Sequence, residues 1–442
     1  MRKPIVIMIV GAALLGVLGL CALTAIGAFR WLFTGPGRVT LDSRAGVHAE
    51  TLETHSFPAD EASRVEIFTA FGDINITAAE GDTVEVEILR EAWAEDEAAA
   101  QEEAEALPVE ISQGANGLTL AYRPEETRQL LNRDNETASQ VSFTLRLPPE
   151  TPLVLEGRSG EIRASGVRAG LEVDGGFGTV SIRDVAGELS ISSSSGNIEL
   201  LSADAGDSGV LVEAGFGSLT LEDIEAASLT LSGESGRIEL RRIETAGPAR
   251  VDTEFGDVLI ENVRAEELKV ESRSGRITVE QGQIEGPLDL TGGFGNLEVS
   301  NVAARSYRLA SRSGLVRLEG GQGEISIETG FGDIVIEGAE EATLNLKSDS
   351  GSVRFSGSLA GSQPHSLEAG FGDIELAIPA GTALDLDLEA NIGEISSSLP
   401  VTMNGEMNDK YWQGTLNGGG TALTAKTRSG KIRLLSLGDT AP

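Results

Sequence analysis

The sequence predicts an all-β protein, a parallel β-solenoid (β-helix) of about 15 coils with about 20 residues in each coil. A Phe-Gly dipeptide followed by alternating apolar residues recurs every 39 residues from Phe177 to Phe294. A Ser-Gly dipeptide with the same continuation lies between successive Phe-Gly dipeptides, so each unit contains two halves of 18 to 21 residues. Such a period is typical of solenoids, in which each coil buries its apolar face against its neighbours.

The N-terminal segment, residues 1–33, is predicted to be a transmembrane anchor. Residues 5–29 are 25 consecutive positions without a charge, and a helix of this length spans roughly 37 Å, enough to cross a bilayer. A cleaved signal peptide is the alternative, but the apolar residues continue to Phe33 rather than ending at a small-residue cleavage site. Arg2 and Lys3 favour a cytoplasmic N-terminus, so we expect a single-pass protein of the cell membrane with its repeats outside the cytoplasm.

A linker is predicted at 34–60 and a short tail at 438–442, and the segment 61–158 is predicted to combine the first coil with a small α+β cap. Within that segment three stretches alternate apolar and polar residues as strands do, and one stretch is rich in Ala and Glu as helices are. The strands are expected at 83–88, 118–122 and 141–145, and the helix at 91–106. Because a solenoid exposes a sheet edge at each end, we expect this segment to cover the first edge and residues 411–420 to cover the last one.

The repeats occupy 159–437 and share one alternating pattern. In a representative coil, Val258 and Ile260 alternate with polar residues, and so do Leu268 and Val270 farther along. This period of two predicts short strands whose apolar residues face the interior of the solenoid. A glycine marks each coil, because glycine tolerates the positive φ that a sharp corner requires.

The residue before the corner glycine is Phe in one coil and Ser in the next, with Ile392 as the main exception. Stacked coils place equivalent residues above one another, and a ring on every coil would crowd the corner. We therefore expect a structural ladder in which each Phe spreads over the small Ser of the neighbouring coil and packs the corner. An exposed aromatic strip that binds sugar is the alternative interpretation. The ladder consists of Phe177, Phe216, Phe255, Phe294, Phe331 and Phe371 with Gly178, Gly217, Gly256, Gly295, Gly332 and Gly372.

Acidic residues outnumber basic ones by 69 to 34, and the net charge is −35. No basic face is apparent that could neutralise phosphates, so nucleic acid is not expected to be a partner. Near the corners, basic residues fall mostly in Ser-Gly coils and acidic ones mostly in Phe-Gly coils. Because opposite charges on neighbouring strands stabilise a sheet, we predict an acidic residue within about 5 Å of Arg276 on an adjacent coil.

No catalytic, cofactor-binding or metal-binding residues are predicted. The three histidines, His48, His55 and His365, are not spaced as metal ligands, and the single cysteine, Cys21, cannot complete such a set. Four aspartates share the position after the Phe-Gly corner, but their coils are about 9.6 Å apart or more. Two of these carboxylates are therefore too far apart to bind the same calcium ion. We assign them to turn formation instead. They are Asp73, Asp257, Asp333 and Asp373.

The order of these parts resembles the bacterial putative-adhesin family, the domain of unknown function 4097. Four features carry the resemblance: an early Phe-Gly-Asp-Ile coil, an alternating strand that ends in Pro, a segment with three consecutive glycines, and a final Ser-Gly coil. They stand at 71–74, 141–148, 414–420 and 429–434. The resemblance covers nearly everything after residue 60. It implies a β-solenoid, often tethered to the membrane of the bacterial envelope, without established chemistry.

These features together predict a non-enzymatic protein of the cell envelope, an adhesin-like display or scaffold rod tethered to the membrane by its N-terminal helix. Its expected partners are the membrane and an envelope polysaccharide or protein, bound by repeated weak contacts rather than in one pocket. Two alternatives stay open. One is a carbohydrate-binding or polysaccharide-cleaving β-helix, and the other is an envelope-stress accessory or sensor protein. The sequence leaves the oligomeric state open.

Overall fold

The computed structural model describes residues 46–114, 117–124 and 139–438. The predicted anchor at 1–33 lies outside the described residues, as does the first part of the predicted linker. No helix in the described ranges has the length and apolar character needed to cross a bilayer. Over these ranges the chain is almost entirely β-structure, as the sequence predicts.

The described residues form 36 strands and one helix, α1 (Glu97–Ala106). The strands are β1 (Val47–Pro58), β2 (Val65–Thr69), β3 (Ile74–Ala78), β4 (Thr83–Ala94), β5 (Glu110–Gly114), β6 (Gly117–Tyr122), β7 (Ser139–Leu147), β8 (Leu153–Ser159), β9 (Ile162–Ser165), β10 (Leu171–Phe177), β11 (Val180–Ala186), β12 (Leu189–Ser195), β13 (Ile198–Asp204), β14 (Gly209–Phe216), β15 (Leu219–Ala226), β16 (Ser228–Ser235), β17 (Ile238–Thr245), β18 (Pro248–Phe255), β19 (Val258–Ala265), β20 (Glu267–Ser274), β21 (Ile277–Ile284), β22 (Pro287–Phe294), β23 (Leu297–Ala303), β24 (Ser306–Ser313), β25 (Val316–Glu319), β26 (Gln322–Phe331), β27 (Ile334–Ser350), β28 (Val353–Leu359), β29 (His365–Phe371), β30 (Ile374–Ile378), β31 (Leu384–Ile392), β32 (Ile395–Ser397), β33 (Val401–Asn408), β34 (Tyr411–Leu416), β35 (Thr421–Ser429) and β36 (Ile432–Ser436).

The chain divides into two compact units. Of the described residues, the smaller one comprises 46–51, 91–106 and 139, and the larger one comprises the others. In the smaller unit α1 begins later than the sequence predicts, because β4 continues to Ala94 and Asp96 caps the helix. The Ala99 N–H donates to the Asp96 carboxylate at 2.9 Å, which satisfies a backbone donor that the first turn of a helix leaves free.

The larger unit is a parallel β-solenoid in which each coil contributes two strands. From β8 to β30 the strands pair in parallel with the equivalent strands of the next coil, so that Val251 of β18 lies beside Val270 of β20 and Ile260 of β19 lies beside Val279 of β21. The alternating apolar residues face the interior, as predicted: Val258, Ile260, Leu268 and Val270 are all 1% exposed or less. Stacking therefore joins the apolar pairs of successive coils into one continuous core.

Twelve coils follow one another in chain order between residues 153 and 378, from the coil of β8 and β9 to that of β29 and β30. The long strand β27 supplies the second half of one coil and the first half of the next. The prediction of about fifteen successive coils is therefore corrected to about twelve. The Gly72 corner belongs to a coil that pairs with β8 and is separated from it in the chain by β4–β7. The Gly393 and Gly430 corners belong to two coils that stack at the other end in the reverse of their chain order.

The N-terminal end of the stack is closed by strands from the predicted cap. Strand β2 pairs with β8 on one side and with β6 on the other, and β3 pairs likewise with β9 and β7. The first coil is thus enclosed between a later coil and an outer layer formed by β6 and β7. The strands predicted at 118–122 and 141–145 fall within this layer.

At the C-terminal end the last coil in the chain is not the last in space. Strand β35 pairs with β29 and with β31, so the final coil inserts between two earlier ones. Strand β34 then pairs antiparallel with the outer strand β31, and β33 pairs antiparallel with β34. This hairpin covers a sheet edge that would otherwise offer free backbone groups, in agreement with the closure predicted at 411–420.

The corner glycines form a ladder in which only glycine fits. Gly256 has φ +145°, and a Cβ built on it would lie 1.8 Å from the carbonyl oxygen of Gly236 on the preceding coil. From Gly160 to Gly430 the equivalent distances are 1.8–2.2 Å, far below any real Cβ contact. The backbones of successive coils therefore meet at this corner with no room for a side chain.

Candidate functional site

The phenylalanines of the ladder lie in one line along the corner of the larger unit, and they face solvent. Phe255 pairs with Ser235 and Ser274 of the neighbouring coils, which confirms the predicted alternation. The six ladder rings are between 51% and 67% exposed, and Phe71 extends the line at 47%. The prediction that these rings pack the corner is wrong, and the alternative of an exposed aromatic strip describes their position correctly. We call this line the phenylalanine edge.

The interior at the corner has no space for a ring, which explains why the rings point outward. The first apolar residue of the strand that follows the corner already fills that volume. A Cβ built on Gly175 would lie 2.7 Å from Val180 Cγ2, and one built on Gly292 would lie 2.9 Å from Leu297 Cδ2. In these two coils even a methyl group does not fit two residues before the Phe. In the other four ladder coils a buried Ala or Thr already fills that position: Ala214, Thr253, Thr329 and Ala369. The interior at the corner is thus occupied in every ladder coil, and the ring is excluded from it.

A second glycine holds the chain close to its neighbour just before most of the rings. A Cβ on Gly176 would lie 2.2 Å from the carbonyl oxygen of Arg158, and one on Gly293 would lie 2.2 Å from that of Arg273. Gly176 has no partner in the strand register: Gly175 pairs with Ser193, and the next pair is Phe177 with Ser195. This position was not predicted, although the repeated Gly-Phe-Gly tripeptide marks it in the sequence. Gly precedes the Phe at Gly176, Gly215, Gly293, Gly330 and Gly370.

Charged side chains flank the edge in an alternating order. Fifteen coils have a glycine corner, and each corner glycine follows a Phe, a Ser or Ile392. Two positions flank that preceding residue: the one just before it and the one two residues after it. Together these positions hold seven basic and nine acidic side chains. The edge therefore carries a net charge of −2, whereas the whole chain carries −35. All seven basic residues stand on Ser coils: Arg158, Arg237, Arg273, Arg276, Arg312, Arg428 and Lys431. Six of the nine acidic residues stand on Phe coils or the Ile392 coil: Asp73, Glu254, Asp257, Asp333, Asp373 and Glu394.

Neighbouring coils use this alternation for ion pairs and ring contacts. Arg276 Nε lies 3.6 Å from Glu298 Oε1 on the adjacent coil, which confirms the prediction made for Arg276. Arg273 pairs with Glu254 at 3.3 Å. The guanidinium of Arg312 lies 5.8 Å from the centre of the Phe294 ring, within the range of a cation–π interaction. The rings are thus bordered by charge on both sides and remain open above.

The aspartates after the Phe-Gly corners accept backbone N–H groups of the neighbouring coil, and not of the turns to which the sequence assigns them. Asp257 Oδ1 accepts the N–H of Arg276 on the next coil at 2.8 Å, and Asp333 Oδ1 accepts that of Ser352 at 2.7 Å. Asp73 does the same for Glu161 at 2.8 Å. Burial raises the pKa of the Asp73 carboxyl, and the charge of Arg163 opposes this shift. These carboxylates therefore tie successive corners together.

Replacing Asp257 by Ala is expected to lower the free energy of unfolding by about 1–2 kcal/mol, because a backbone N–H loses a charged acceptor. Asp257→Asn should cost less, since its amide oxygen can still accept. Asn197 and Asn296 already do so for Ser218 and Leu315 at 2.9 and 3.1 Å. Urea denaturation of the two variants measures the difference. Equal midpoints for both variants would contradict this role of the carboxylate.

A second surface feature is a groove that follows a bend in the second strand of each coil. A non-glycine residue with φ between 52° and 63° stands at this bend in seven successive coils: Asp184, Ser202, Asp223, Arg242, Asn262, Gln281 and Asn301. The bend residue is left out of the strand register: Glu261 pairs with Glu280, and the next pair is Val263 with Gly282, so Asn262 is skipped. The groove has a volume of about 1060 Å³. Seven coils give it a length of about 29 Å.

The groove is polar, with ion pairs near its middle and amides toward its C-terminal end. Arg242 Nη2 donates to Asp223 Oδ2 at 2.9 Å, and these hydrogen bonds lower the pKa of the Asp223 carboxyl. The side chains of Asn262, Gln281 and Asn301 line the next three coils. Amide side chains both donate and accept hydrogen bonds, so this end of the groove suits a neutral polar ligand.

The three histidines occupy separate places. His48 Nε2 lies 3.1 Å from a Glu91 carboxylate oxygen, and His55 Nε2 lies 2.6 Å from Glu53. His365 is buried; its Nδ1 accepts the Leu344 N–H at 3.3 Å and its Nε2 lies 3.1 Å from the Ala360 carbonyl oxygen, which fixes a neutral ring. In the part of the chain that the structure describes, no three His, Cys, Asp or Glu residues are arranged to hold a metal ion.

The stability of the fold is expected to fall as the pH decreases below neutrality, in part through His365. Burial lowers the pKa of this imidazole in the folded state, so the unfolded chain binds the extra proton first, below about pH 6.5. One such group contributes a slope of at most about 1.4 kcal/mol per pH unit. Between pH 7 and pH 5, urea denaturation of His365→Leu should show a smaller loss than the native chain. Parallel pH profiles would contradict this assignment.

The chain is similar to known proteins at the level of a domain family. No curated protein matches the chain. Among solved structures, one of a putative cell adhesion protein from Clostridium sporogenes is 9% identical, with a TM-score of 0.16 and coverage of 88% of this chain and 100% of that chain. One of a putative adhesin from Bacteroides fragilis is 16% identical, with a TM-score of 0.26 and coverage of 65% and 97%. A family model for the Toastrack domain matches residues 62–293 and again 292–435, which confirms the resemblance found in the sequence. The chain belongs to the Toastrack family, DUF4097.

Proposed function

We propose that this chain is a non-enzymatic, adhesin-like protein of the cell envelope, and that the phenylalanine edge is its binding surface. The observation that carries the proposal is the exposure of a large apolar ring on every second coil, from Phe71 to Phe371. A line of exposed apolar side chains that is bordered by polar residues is typical of interaction sites. Single exposed apolar residues would need no such explanation, but seven in one line do.

The spacing of the rings favours many weak contacts with an extended partner. Successive rings are two coils apart, or about 9.6 Å. Each ring alone makes a small contact, but linked contacts act together and raise the overall affinity by about 10²–10⁴ without any deep pocket. An envelope polysaccharide or an elongated protein surface has the length to reach several rings at once.

The charge distribution supports the same surface. A net charge of −35 keeps most faces of the chain from associating with other acidic surfaces. At the phenylalanine edge the charges nearly cancel, so a partner can approach there without that repulsion. The edge is therefore both the most apolar line on the solenoid and one where the electrostatic barrier is low.

The assay for this function is the retention under flow of bacterial cells that display the full chain. The surfaces to compare are coated with envelope polysaccharide, with protein, or with a layer of the same cells. Cells with the native chain should be retained on at least one of these surfaces. Cells with Ser at all six ladder positions, displayed in equal amount, should be washed off. Equal retention of both would overturn the assignment of the edge as the binding surface.

We also propose that residues 1–33 tether the protein to the cell membrane and that the solenoid lies outside the cytoplasm. Of the linker predicted at 34–60, residues 47–58 form strand β1, so the linker is limited to the part before Val47. Residues 5–29 carry no charge over 25 positions, the length that a bilayer-spanning helix requires. The full chain should remain in the membrane fraction after washing with salt and alkaline carbonate. A chain without residues 2–33 should be soluble. Recovery of the truncated chain with the washed membranes would contradict the tether.

Carbohydrate binding in the groove is a second candidate function. It is favoured by the amides of Asn262, Gln281 and Asn301, which line three successive coils of a groove about 29 Å long. Replacing these three residues with Ala should abolish retention of the chain on a polysaccharide column while leaving adhesion through the rings intact. If the ring variant loses polysaccharide binding and the amide variant keeps it, the groove is not the site.

A further inference from the structure

We propose that the partner of the phenylalanine edge is the same edge of a second copy of this chain, in antiparallel orientation and offset by one coil. This inference rests on the proposed function, because it names the occupant of the same surface. Three features support it: the steric alternation of Phe and Ser, the charges beside them, and the area that the rings leave open.

The steric alternation makes the edge complementary to itself. On Ser coils the small side chain leaves a gap between two rings that are about 9.6 Å apart. Two edges that meet in register would place ring against ring. An offset of one coil places each ring of one copy opposite a Ser of the other, so that rings fill gaps along the whole line.

The same offset also pairs opposite charges. We place a two-fold axis between the coils of Gly256 and Gly275, so that Phe255 faces Ser274 of the second copy. The residues just before them then face each other, acidic Glu254 against basic Arg273. The residues two positions after do likewise, acidic Asp257 against basic Arg276.

At the ends of the stack, Asp73 meets Lys431 of the second copy in this register. One pair of like charges remains, Glu161 with Asp373. Moving the axis to lie between the coils of Gly275 and Gly295 replaces these pairs by Glu254 with Arg312 and Asp333 with Arg237, so the charges agree with the stated register without fixing it. The rings fix it, because only this axis places all seven of them opposite a Ser of the second copy. The arrangement is closed, because the same patch is used on both copies.

The open area is sufficient for a stable pair. Seven rings that are 47% to 67% exposed leave roughly 800 Å² of aromatic surface open, at about 200 Å² for each phenylalanine. A specific interface of standard size buries about 800 Å² on each partner. The rings alone thus reach this value, and the flanking charges form its polar rim.

The test uses the full chain in detergent solution, with Cys21 replaced by Ser, and measures self-association by analytical ultracentrifugation. The native edge should give dimers, and the variant with Ser at all six ladder positions should be monomeric. Glu254→Arg and Arg273→Glu should each weaken the dimer by roughly tenfold, because two symmetry-related contacts become repulsive. Leu211→Ser is the matched control, since Leu211 is exposed on an outward strand face away from the edge.

Mixing the two charge variants in equal amounts distinguishes contacts between copies from contacts within one chain. In a mixed dimer each reversed residue faces an opposite charge, so the native affinity should return. Glu254 and Arg273 also pair within the chain at 3.3 Å, but mixing separate chains cannot restore that pair. No recovery on mixing, or a monomeric native chain, would overturn the proposal.

Cross-linking fixes the orientation. In the antiparallel register Phe216 faces Ser313 of the second copy, whereas parallel copies with the same offset bring Phe216 opposite Ser195 or Ser235. A thiol cross-linker should therefore join a Phe216→Cys chain to a Ser313→Cys chain and not to a Ser235→Cys chain. The reverse result would overturn the antiparallel arrangement. If displayed cells adhere through the rings to polysaccharide or protein while the purified chain stays monomeric, the second copy is rejected and the proposed function stands.

Discussion

Gly256→Ala is expected to unfold the coils around it and to lower the free energy of unfolding by about 3–6 kcal/mol. Two costs add at this position. The added methyl group would lie 1.8 Å from the carbonyl oxygen of Gly236, and the residue has φ +145°, which residues with a Cβ avoid. Neither cost can relax easily, because the contact is with backbone that is itself hydrogen-bonded to the next coil. Thermal and urea denaturation measure the loss.

Gly361→Ala is the matched control for this substitution. Gly361 has no atom within 4 Å of a Cβ built on it and no positive φ, so its replacement should change stability by less than about 1 kcal/mol. Hydrogen exchange should show faster exchange mainly in β16–β21 of the Gly256 variant, because a solenoid transmits stability between neighbouring coils. Similar melting curves for the Gly256 and Gly361 variants would show that the corner does not constrain the stack.

Replacing all six ladder phenylalanines with Ser is expected to reduce adhesion by at least 10²-fold, the lower end of the gain from linked contacts. Replacing only Phe255 and Phe294 should cause a smaller loss, because the remaining rings still act together. Stability should change little, since the rings are already more than half exposed and contribute little to the core. Retention of displayed cells under increasing flow measures the graded effect.

Measuring adhesion and stability of the same variants distinguishes a binding role of the rings from a structural role. If the rings stabilised the solenoid, their removal would lower the melting temperature along with adhesion. A chain with Leu211→Ser controls for the loss of exposed apolar surface elsewhere on the same coil as Phe216. Adhesion that persists without the rings, or a large loss of stability on their removal, would contradict the proposed role.

Much of the fold could be predicted because the signals are local and repeated. The alternation at Val258 and Ile260 sets which residues are buried, and the glycine period sets the corners. The opposite charges near Arg276 also follow from stacking, because equivalent positions of adjacent coils are neighbours. Such arguments need only the period and the direction of the strands.

What could not be predicted depends on volume and on the order of coils in space. Whether Phe177 turns inward depends on the space already filled by Val180, and that space is known only from the coordinates. The positive-φ bend that lines the groove is formed by Asp, Ser, Arg, Asn or Gln in different coils, so no single residue type marks it in the sequence. The insertion of β35 between β29 and β31 breaks the chain order that the count of fifteen coils assumed.

The central claim, that the phenylalanine edge is the surface that binds, is tested most directly by thiol labelling during adhesion. Single Cys residues at Phe255 and, as a control, at Leu211 are introduced into the full chain with Cys21 replaced by Ser, and the chain is displayed on cells. Both should react quickly with a label added to suspended cells. After attachment, Cys at position 255 should be protected while Cys at position 211 still reacts. Equal labelling of position 255 before and after attachment would contradict the claim.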